Sequence, residues 1–376
     1  MDTRCGDLRT PSGGLSRPPR LVALGGGTGL PTLLQGLAHG LRTAPAVTDG
    51  PWDLTDCLSA VVAITDDGGS SGRLRRHLGV LPPGDVRNCL AALAAQPTPL
   101  SRVLQYRFSH RGELKGHAVG NLMLAALTQM TGDFSSAVDQ LGTMIGVVGR
   151  VLPCSDDNVN LVAELDDGEI VSGETAIVRR GKRIRRVWLE RPARPLPDVI
   201  RVLINADTIV VGPGSLYTSL IPTLLVGGVA PTIRGARAAR IYVANLMTQR
   251  GETDGFTLED HLRVLAAHAG PDLFDYIVVN SARLSPSTLR EQQARGGAPV
   301  LTPAHVRHLA GHAMVIRAEL AAALPTGEVR HAPDRLAAVI FRITAHHQRR
   351  EALRLARPTA DGTLPVVRPA DWSPRA

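Results

Sequence analysis

Cysteine is scarce in this sequence, and its spacing excludes two classes of small stabilised protein. Four cysteines occur among 376 residues, at positions 5, 57, 89 and 154, and no two of them form a CxxC pair. Widely separated cysteines argue against a disulfide framework and against a structural zinc site. Their number and spacing fit a reducing compartment, so we expect a cytoplasmic protein.

Long apolar runs are also missing. No stretch reaches the roughly 18–20 apolar residues that a helix needs to cross a bilayer. Residues 1–20 mix Arg, Pro, Gly and Ser and lack the continuous apolar segment of a signal peptide. The sequence therefore predicts a protein with no membrane span.

Positive charge is in excess but is dispersed. The formal net charge is +8, and Lys115 and Lys182 are the only lysines, so arginine supplies nearly all of the positive charge. Apart from residues 179–186 and the end of the last predicted helix, the basic residues do not cluster. A nucleic-acid-binding face needs a continuous basic patch, so we do not expect nucleic acid as a partner. A cleft that binds phosphate needs only a few arginines.

The pattern of apolar residues predicts an α/β protein. Buried strands over 20–24 and 58–64 flank a glycine-rich loop and a helix over 30–41, which is how a doubly wound, Rossmann-like, mostly parallel sheet begins. Short alternating runs around residues 147–191 predict an antiparallel β excursion packed on the main sheet. Further strands are predicted at 208–211, 240–244 and 276–279, and helices at 85–95, 99–107, 117–131, 134–146 and 333–349.

The same pattern predicts one domain between two tails. We expect a disordered tail over 1–19, a single α/β domain over 20–350, and a Pro/Arg-rich tail over 351–376. Residues 42–56 are polar and read as a surface loop. The sequence leaves the oligomeric state open, and a homo-oligomer is one alternative.

Several predicted strands end in small or polar residues, and in an open α/β sheet such ends line one ligand crevice. The first loop contains Gly26, Gly27, Thr28 and Gly29. Its backbone N–H groups could bind an anion at the start of the next helix, with the Thr28 hydroxyl beside them. The loop is neither GxxxxGK[ST] nor a complete GxGxxG, so a plain tight turn is an alternative.

Two carboxylates follow the second strand. Asp66 and Asp67 could bind Mg²⁺, accept from a sugar hydroxyl or act as a base. They are the only candidates for catalysis and for metal binding, and neither role is firm. The alternative is a solvated turn in which Ser70 or Ser71 caps a helix.

The most informative loop follows the strand at 208–211. Gly212 and Gly214 allow the backbone to approach a ligand, and Ser215, Tyr217 and Thr218 offer hydroxyls at a helix N-terminus. We predict that this loop binds phosphate. The alternative is a turn from strand to helix with Ser215 as the N-cap.

Polar residues at two helix starts and one strand end complete the candidate site. Asp85 is predicted to be an N-cap, with Arg87 and Asn88 in the first helical turn near a phosphate or sugar. Asn121 offers a bidentate amide, whereas the neighbouring His117 is expected to be structural.

The run from Asn245, which includes Thr248 and Gln249, suits recognition of a base or sugar edge, or else forms a lid beside the site. No Ser/His/Asp order, HExxH motif or Cys/His pair stands out, which leaves binding or group transfer.

Six segments in this order resemble the YvcK-type gluconeogenesis factors of bacteria, within the CofD-like family. The resemblance covers about residues 20–345. The matching segments are LVALGGGTGL (21–30), AITDDGGSSGRLR (63–75), LPPGDVRNCLAAL (81–93), HAVGNLMLAALT (117–128), VVGPGSLYTSLIPTLLV (210–226) and YVANLMTQRGETDGF (242–256).

This resemblance implies a Rossmann-like core, a ligand of the UDP-N-acetylglucosamine type, and a cytoplasmic role in cell shape and carbon flux under gluconeogenic growth. The CofD branch is a transferase that uses Mg²⁺ to move a phospholactyl group from a nucleotide-activated donor to a deazaflavin. The resemblance also implies a Tyr and an Arg near the ligand in the C-terminal part of the chain. Arg330 matches this arginine, and no residue of this sequence matches the tyrosine.

Two functions therefore stand at this point. The favoured one is a non-catalytic regulator that binds a UDP-sugar or related nucleotide. The other is a transferase, in which Asp66 and Asp67 would hold Mg²⁺, the only candidate cofactor. The sequence identifies neither the partner protein nor the effector pathway.

Overall fold

The computed structural model describes residues 18–43, 54–95, 98–109, 111–302, 312–324 and 326–355. Most of the predicted tails and of the predicted surface loop at 42–56 lies outside the described residues. The predicted boundary at residue 350 falls inside a helix that continues to Leu355.

A seven-stranded sheet, parallel throughout, forms the centre of the described part of the chain. The strand order is β10-β9-β8-β7-β1-β2-β3, which confirms the predicted doubly wound α/β fold. Its strands are β1 Leu21–Gly25, β2 Leu58–Val62, β3 Arg150–Pro153, β7 Thr208–Val211, β8 Ala239–Val243, β9 Tyr276–Asn280 and β10 Met314–Ala318.

Both faces of this sheet are buried because its strands are apolar at successive positions. In β1, Leu21 and Ala23 belong to one core cluster, and Val22 and Leu24 belong to another. Successive side chains of a strand point to opposite faces, so one short apolar run supplies both cores. The first core is shared with α1, α3, α5, α6 and the last helix, and the second with the helices from residue 174 to 269.

Helices cover the sheet from both sides. Six of the described helices were not predicted from the sequence. They lie near residues 69–78, 174–180, 197–204, 229–235, 258–269 and 286–294. The helices are α1 Gly29–Thr43, α2 Gly69–Leu78, α3 Gly84–Leu93, α4 Pro99–Gln105, α5 Val119–Thr131, α6 Phe134–Ile145, α7 Glu174–Arg180, α8 Pro197–Ile204, α9 Ile221–Leu225, α10 Val229–Gly235, α11 Leu258–Ala269, α12 Pro286–Ala294 and α13 Pro333–Leu355.

The antiparallel excursion is present as a separate three-stranded sheet, in the order β5-β4-β6. Its strands are β4 Leu161–Leu165, β5 Ile170–Ser172 and β6 Ile184–Leu189. At the start of the predicted range, β3 pairs in parallel with β2 and forms the edge of the main sheet. The excursion therefore begins after residue 153. A short antiparallel pair, β11 Ala321–Ala323 and β12 Val329–His331, precedes α13.

The chain reverses its direction of winding between β1 and β7. From β1 it proceeds to β2 and β3 on one side, and then from β7 to β8, β9 and β10 on the other. A crevice opens at such a switch point, outside the carboxyl ends of the two central strands. The loops after β1 and β7 are the two glycine-rich loops.

No single helix in the described residues is long and apolar enough to cross a membrane. Two short helical segments, residues 216–225 and 229–235, are long and apolar enough for a membrane span only when they are taken together, and their axes are bent by 78° relative to each other. Leu216 and Leu220 of this pair are fully buried in the protein core.

Candidate functional site

The two glycine-rich loops touch each other at the switch point. A Cβ atom at Gly29 would lie 2.3 Å from the carbonyl oxygen of Pro213, which is far inside van der Waals contact. Gly212 has a φ of 86°, in the left-handed region that glycine adopts without strain. Glycine is therefore required at these positions by the backbone geometry of the loops.

The first loop donates a hydrogen bond to a carboxylate of the protein itself. The Gly27 N–H lies 2.7 Å from Asp85 Oδ2, and a Cβ at Gly26 would lie 2.5 Å from the same oxygen. Asp85 does not cap its own helix, so that prediction is wrong: the N-cap position is Pro83, and Asp85 reaches from the first turn of α3 to the loop. Burial raises the pKa of Asp85 to about 6.

The second loop is also bonded to a carboxylate, and this one was not identified from the sequence. Glu252 Oε1 accepts from the backbone N–H groups of Tyr217, at 2.7 Å, and Thr218, at 3.3 Å. Burial raises the pKa of Glu252 to about 7, and the nearby Ser215 side chain opposes this rise. The backbone N–H groups of two residues whose hydroxyls were predicted to bind phosphate are thus bonded to Glu252.

The hydroxyl-rich segment after the second loop faces the core more than the crevice. Residues 216–220 form a π-helical turn. The Tyr217 side chain is buried, and its hydroxyl donates to the carbonyl oxygen of Ile184 in β6 at 3.3 Å. Thr218 is buried too. The run of apolar and hydroxyl residues does not reveal which of them turn inward, because the π turn changes the helical spacing.

Two cavities adjoin the glycine-rich loops. The smaller has a volume of about 240 Å³ and the larger about 670 Å³, and both are lined by Thr28, Thr32 and Arg330. Of the predicted ligand-binding residues, those that line one or both cavities are Gly27, Thr28, Gly29, Asn88, Gly214, Ser215, Asn245, Gln249 and Arg330. Those that line neither are Gly26, Asp66, Asp67, Arg87, Asn121, Gly212, Tyr217, Thr218 and Thr248.

The larger cavity is positively charged. Arg42, Arg102 and Arg330 line it, and its described lining contains no Asp or Glu. The buried Arg87 lies behind it and donates to Gln105 Oε1 at 3.0 Å and to Asn88 Oδ1 at 2.8 Å. Both acceptors line the cavity, so Arg87 fixes the orientation of two amides at its wall.

The smaller cavity is lined by amide, imidazole, hydroxyl and backbone groups and by the ion pair of Arg330 with Glu328. Gln249 Nε2 donates to Ser215 Oγ at 2.8 Å, and Asn245 Oδ1 accepts from the Gly214 N–H at 3.3 Å. Both bonds join the loop after β8 to the loop after β7. His331, at the end of β12, also lines this cavity and was not identified from the sequence, where no motif surrounds it.

Thr248 fastens the chain beside this cavity. Its hydroxyl oxygen accepts from the Ala298 N–H at 2.9 Å, and its own N–H donates to the Ala298 carbonyl at 2.7 Å. The side chain is buried. Thr248 thereby holds the 245–249 loop against residues 298–300.

Asp66 and Asp67 are held by different partners. Asp66 Oδ1 accepts from the Gly68 N–H at 2.9 Å, and burial raises the pKa of Asp66. Asp67 Oδ1 accepts from both the N–H and the hydroxyl of Thr175, at 2.8 and 2.6 Å. Glu174, bonded to Thr65, lies close enough for Asp66 and Asp67 to raise its pKa further, although burial is the main cause.

The described residues do not surround these carboxylates with a complete set of protein ligands, and Mg²⁺ in proteins is often held by only one or two carboxylates together with waters and substrate phosphates. Mg²⁺ requires oxygen ligands at octahedral positions around one point. The two carboxylates are bonded to separate turns, and within the part of the chain that the structure describes no three His, Cys, Asp or Glu side chains come together as metal ligands.

Asn121 belongs to a buried polar network beneath α2. Its Nδ2 donates to Ser70 Oγ at 3.0 Å, and the same oxygen lies 3.0 Å from His117 Nδ1. Arg73 Nε donates to His117 Nε2 at 2.9 Å, and burial and the nearby Arg73 lower the pKa of His117. Ser71 accepts from the Gly84 N–H rather than capping α2. These contacts join α2, α3 and α5.

Comparison with known proteins gives consistent matches over most of the chain. The family model described as 2-phospho-L-lactate transferase CofD matches residues 21–319. The gluconeogenesis factor of Bacillus subtilis is 43% identical over 287 residues, which is 76% of this chain and 86% of its own. That of Halalkalibacterium halodurans is 41% identical over 286 residues, which is 76% of this chain and 84% of its own.

Solved structures agree with these sequence matches. A crystal structure of a Bacillus halodurans protein superposes with a TM-score of 0.80 at 37% identity and covers 86% of this chain and all of its own. A second crystal structure from that organism, described as a member of the UPF0052 family, gives a TM-score of 0.78 at 38% identity, over 86% of this chain and 99% of its own.

Proposed function

The chain belongs to the CofD family and is similar over most of its length to gluconeogenesis factors, and from this premise we propose that it is a cytoplasmic regulator that binds a nucleotide sugar in the switch-point crevice. UDP-N-acetylglucosamine is the proposed type of ligand. The proposed role is in cell shape and carbon flux during gluconeogenic growth.

The observation that carries the proposal is the pair of cavities that meet at Thr28 and Arg330. Three arginines and no Asp or Glu line the larger cavity, whereas amides and the Arg330–Glu328 ion pair line the smaller, so the two differ in net charge at a common boundary. A nucleotide sugar has the same organisation, because a diphosphate joins two neutral hydrogen-bonding rings. Arg330 forms an ion pair with Glu328 at 2.9 Å, which orients its guanidinium at this boundary.

The regulator is favoured over the transferase by the contacts of Asp66 and Asp67. Both carboxylates are bonded to backbone or hydroxyl donors of the protein, and neither lines the two cavities beside the loops. In our proposal they hold α2 and α7 in place, and the ligand is bound without being transformed. The CofD family name keeps a transferase as the second candidate, with Asp66 and Asp67 as its acidic residues.

Calorimetry with UDP-N-acetylglucosamine tests the binding proposal directly. We expect saturable binding to the purified chain and a rise in melting temperature that corresponds to about 2.7 kcal/mol at a ligand concentration a hundred times the Kd. Arg330→Gln removes the charge at the cavity boundary and should weaken binding at least tenfold. Arg335→Gln, at an exposed position of α13, is the matched control and should bind as wild type does.

Absence of binding at millimolar UDP-sugar, GDP and NAD would refute this proposal. The two candidate functions separate in an assay with a nucleotide-activated phospholactate and a deazaflavin, with and without Mg²⁺. Turnover that is lost in Asp67→Asn would establish the transferase in place of the regulator.

The cellular role has its own test. In a Bacillus subtilis strain that lacks its gluconeogenesis factor, expression of this chain should restore normal growth and rod shape on a gluconeogenic carbon source. The Arg330→Gln variant, produced at the same level, should restore them less well. Full restoration by that variant would separate the role in the cell from ligand binding.

A further inference from the structure

Two acceptor atoms in the wall of the smaller cavity lack a hydrogen-bond partner. They are Nε2 of His331 and Oε1 of Gln249, and both atoms are shielded from solvent. Both residues line the smaller cavity, and His331 as a whole is only 7% exposed. Buried polar atoms without a partner are uncommon in folded proteins, so two in the wall of one cavity require an explanation.

The orientation of the Gln249 amide follows from its neighbours. Gln249 Nε2 donates to Ser215 Oγ at 2.8 Å. The Nε2 group therefore faces Ser215, and Oε1 at the other side of the amide is an acceptor. The bond to Ser215 thus fixes which atom Gln249 has available for another group.

His331 is an acceptor for a related reason. Burial lowers the pKa of His331 to about 4, and the backbone of Ala244, just after β8, opposes this shift, so the ring is neutral at physiological pH. A neutral imidazole has a proton on one ring nitrogen and a lone pair on the other. With the proton on Nδ1, the unpartnered Nε2 is the acceptor.

We propose that the smaller cavity is the subsite that recognises the hydrogen-bond donors of the ligand, through His331 Nε2 and Gln249 Oε1. The ligand group that enters it is neutral and carries two neighbouring N–H or O–H donors. A sugar with hydroxyl and acetamide groups has this chemistry, and so does a base with an imide N–H. This inference rests on the proposed function and assigns the neutral end of the ligand to this cavity and the charged diphosphate to the side of the arginines.

Calorimetry of two variants against two ligands tests this assignment. His331→Phe keeps the ring shape, and Gln249→Met keeps the chain length, but each removes an acceptor. Each should weaken UDP-N-acetylglucosamine binding about tenfold, the usual effect of one lost hydrogen bond in a buried site. His39→Phe, at an exposed position of α1, is the control and should leave affinity unchanged.

The same titrations with UDP alone show whether the sugar or the base of the ligand supplies the hydrogen-bond donors. If the sugar occupies the subsite, the variants lose affinity for UDP-N-acetylglucosamine and keep it for UDP. If the base occupies it, both ligands lose affinity by the same factor. Wild-type affinity of both variants for both ligands would overturn the subsite while leaving the proposed function intact.

Nuclear magnetic resonance provides a test that does not depend on tight binding of the whole nucleotide. The ring nitrogens of His331 can be assigned in ¹⁵N-histidine-labelled protein by comparison with His331→Phe. Uridine, N-acetylglucosamine and UDP-N-acetylglucosamine, each at millimolar concentration, are then added. We expect at least one of them to shift the Nε2 resonance of His331, and no shift with any of the three would overturn the proposal.

Discussion

The two glycine-rich loops at the switch point have the same kind of partner but are held to different degrees. The loop after β1 donates one N–H, from Gly27, to Asp85 of the nearby helix α3. The segment after β7 donates two N–H groups, from Tyr217 and Thr218, to Glu252, which comes from the loop after β8. Asp85 thus completes one turn, whereas Glu252 joins two neighbouring segments of the crevice.

This difference teaches that a carboxylate can occupy the backbone donors that a phosphate would use elsewhere. An N–H group at a helix start attracts any anion, and an internal Asp or Glu is always present at high effective concentration. A glycine-rich loop in the sequence therefore does not by itself reveal whether its donors are available to a ligand.

The largest effect should come from removing the carboxylate of the second loop. Glu252→Leu leaves the backbone N–H groups of Tyr217 and Thr218 without their acceptor in a buried place. We expect the free energy of unfolding to fall by about 3–5 kcal/mol, as measured by urea denaturation. Glu319→Leu, at an exposed position, should change it by less than about 0.5 kcal/mol. A loss below about 1 kcal/mol in Glu252→Leu would show that Glu252 does not hold the loop.

The corresponding change in the first loop should be smaller. Asp85→Ala removes the acceptor of one N–H group, and we expect a loss of about 1–2 kcal/mol in the free energy of unfolding. Asp85→Asn keeps an oxygen that can accept from Gly27 and should be closer to wild type. If Asp85→Ala lowers the free energy of unfolding as much as Glu252→Leu does, the two carboxylates stabilise their loops equally, which would contradict the difference described above.

The smallest effect is the dependence of stability on pH, in which Glu252 and Asp85 should differ because their folded-state pKa values differ. Burial raises the folded-state pKa of Glu252 to about 7 and of Asp85 to about 6, above the values of unfolded chains. Between the unfolded and folded pKa values the folded state binds more protons, so stability must fall as pH rises through this window.

Above pH 6, Glu252 should cause a larger part of the pH-dependent loss of stability than Asp85 does. We expect wild type to lose about 1 kcal/mol more than Glu252→Gln between pH 6 and 7. The same difference between wild type and Asp85→Asn should be smaller over this interval and should appear mainly below pH 6. Urea denaturation at half-unit pH steps measures both, and an identical slope in wild type and Glu252→Gln would contradict the raised pKa of Glu252.

Much of the main sheet could be predicted from the sequence because its strands are short apolar runs that end at glycine or at polar residues. The positions of β1, β2 and β7 and the excursion after β3 follow from that pattern. Helices such as α8 and α11 were missed even though α11 begins with a Thr257–Asp260 capping box that the sequence shows, because each is too short for its apolar pattern to repeat many times. Tertiary burial, rather than a long periodic segment, stabilises these helices.

The residues of the candidate site likewise fall into those that a local sequence pattern predicts and those that it does not. Thr28, Asn245 and Gln249 follow strand ends and line the cavities, as the alternation of strand and loop suggested. Glu252 and His331 were missed because each is a single residue outside a recognisable motif. Their positions depend on how distant segments meet, and residue 331 reaches the crevice only through the β11–β12 pair.

The sequence by itself determined the family, the doubly wound α/β fold and the location of the crevice. Six ordered motifs identified YvcK-type relatives, and the matches over residues 21–319 confirm that recognition. Only the tertiary structure decided which loop donors are already bonded, which carboxylates have raised pKa values and which acceptors lack a partner. The physical reason is that burial and hydrogen bonding belong to pairs of residues distant in sequence, whereas strand patterns and glycine turns are local.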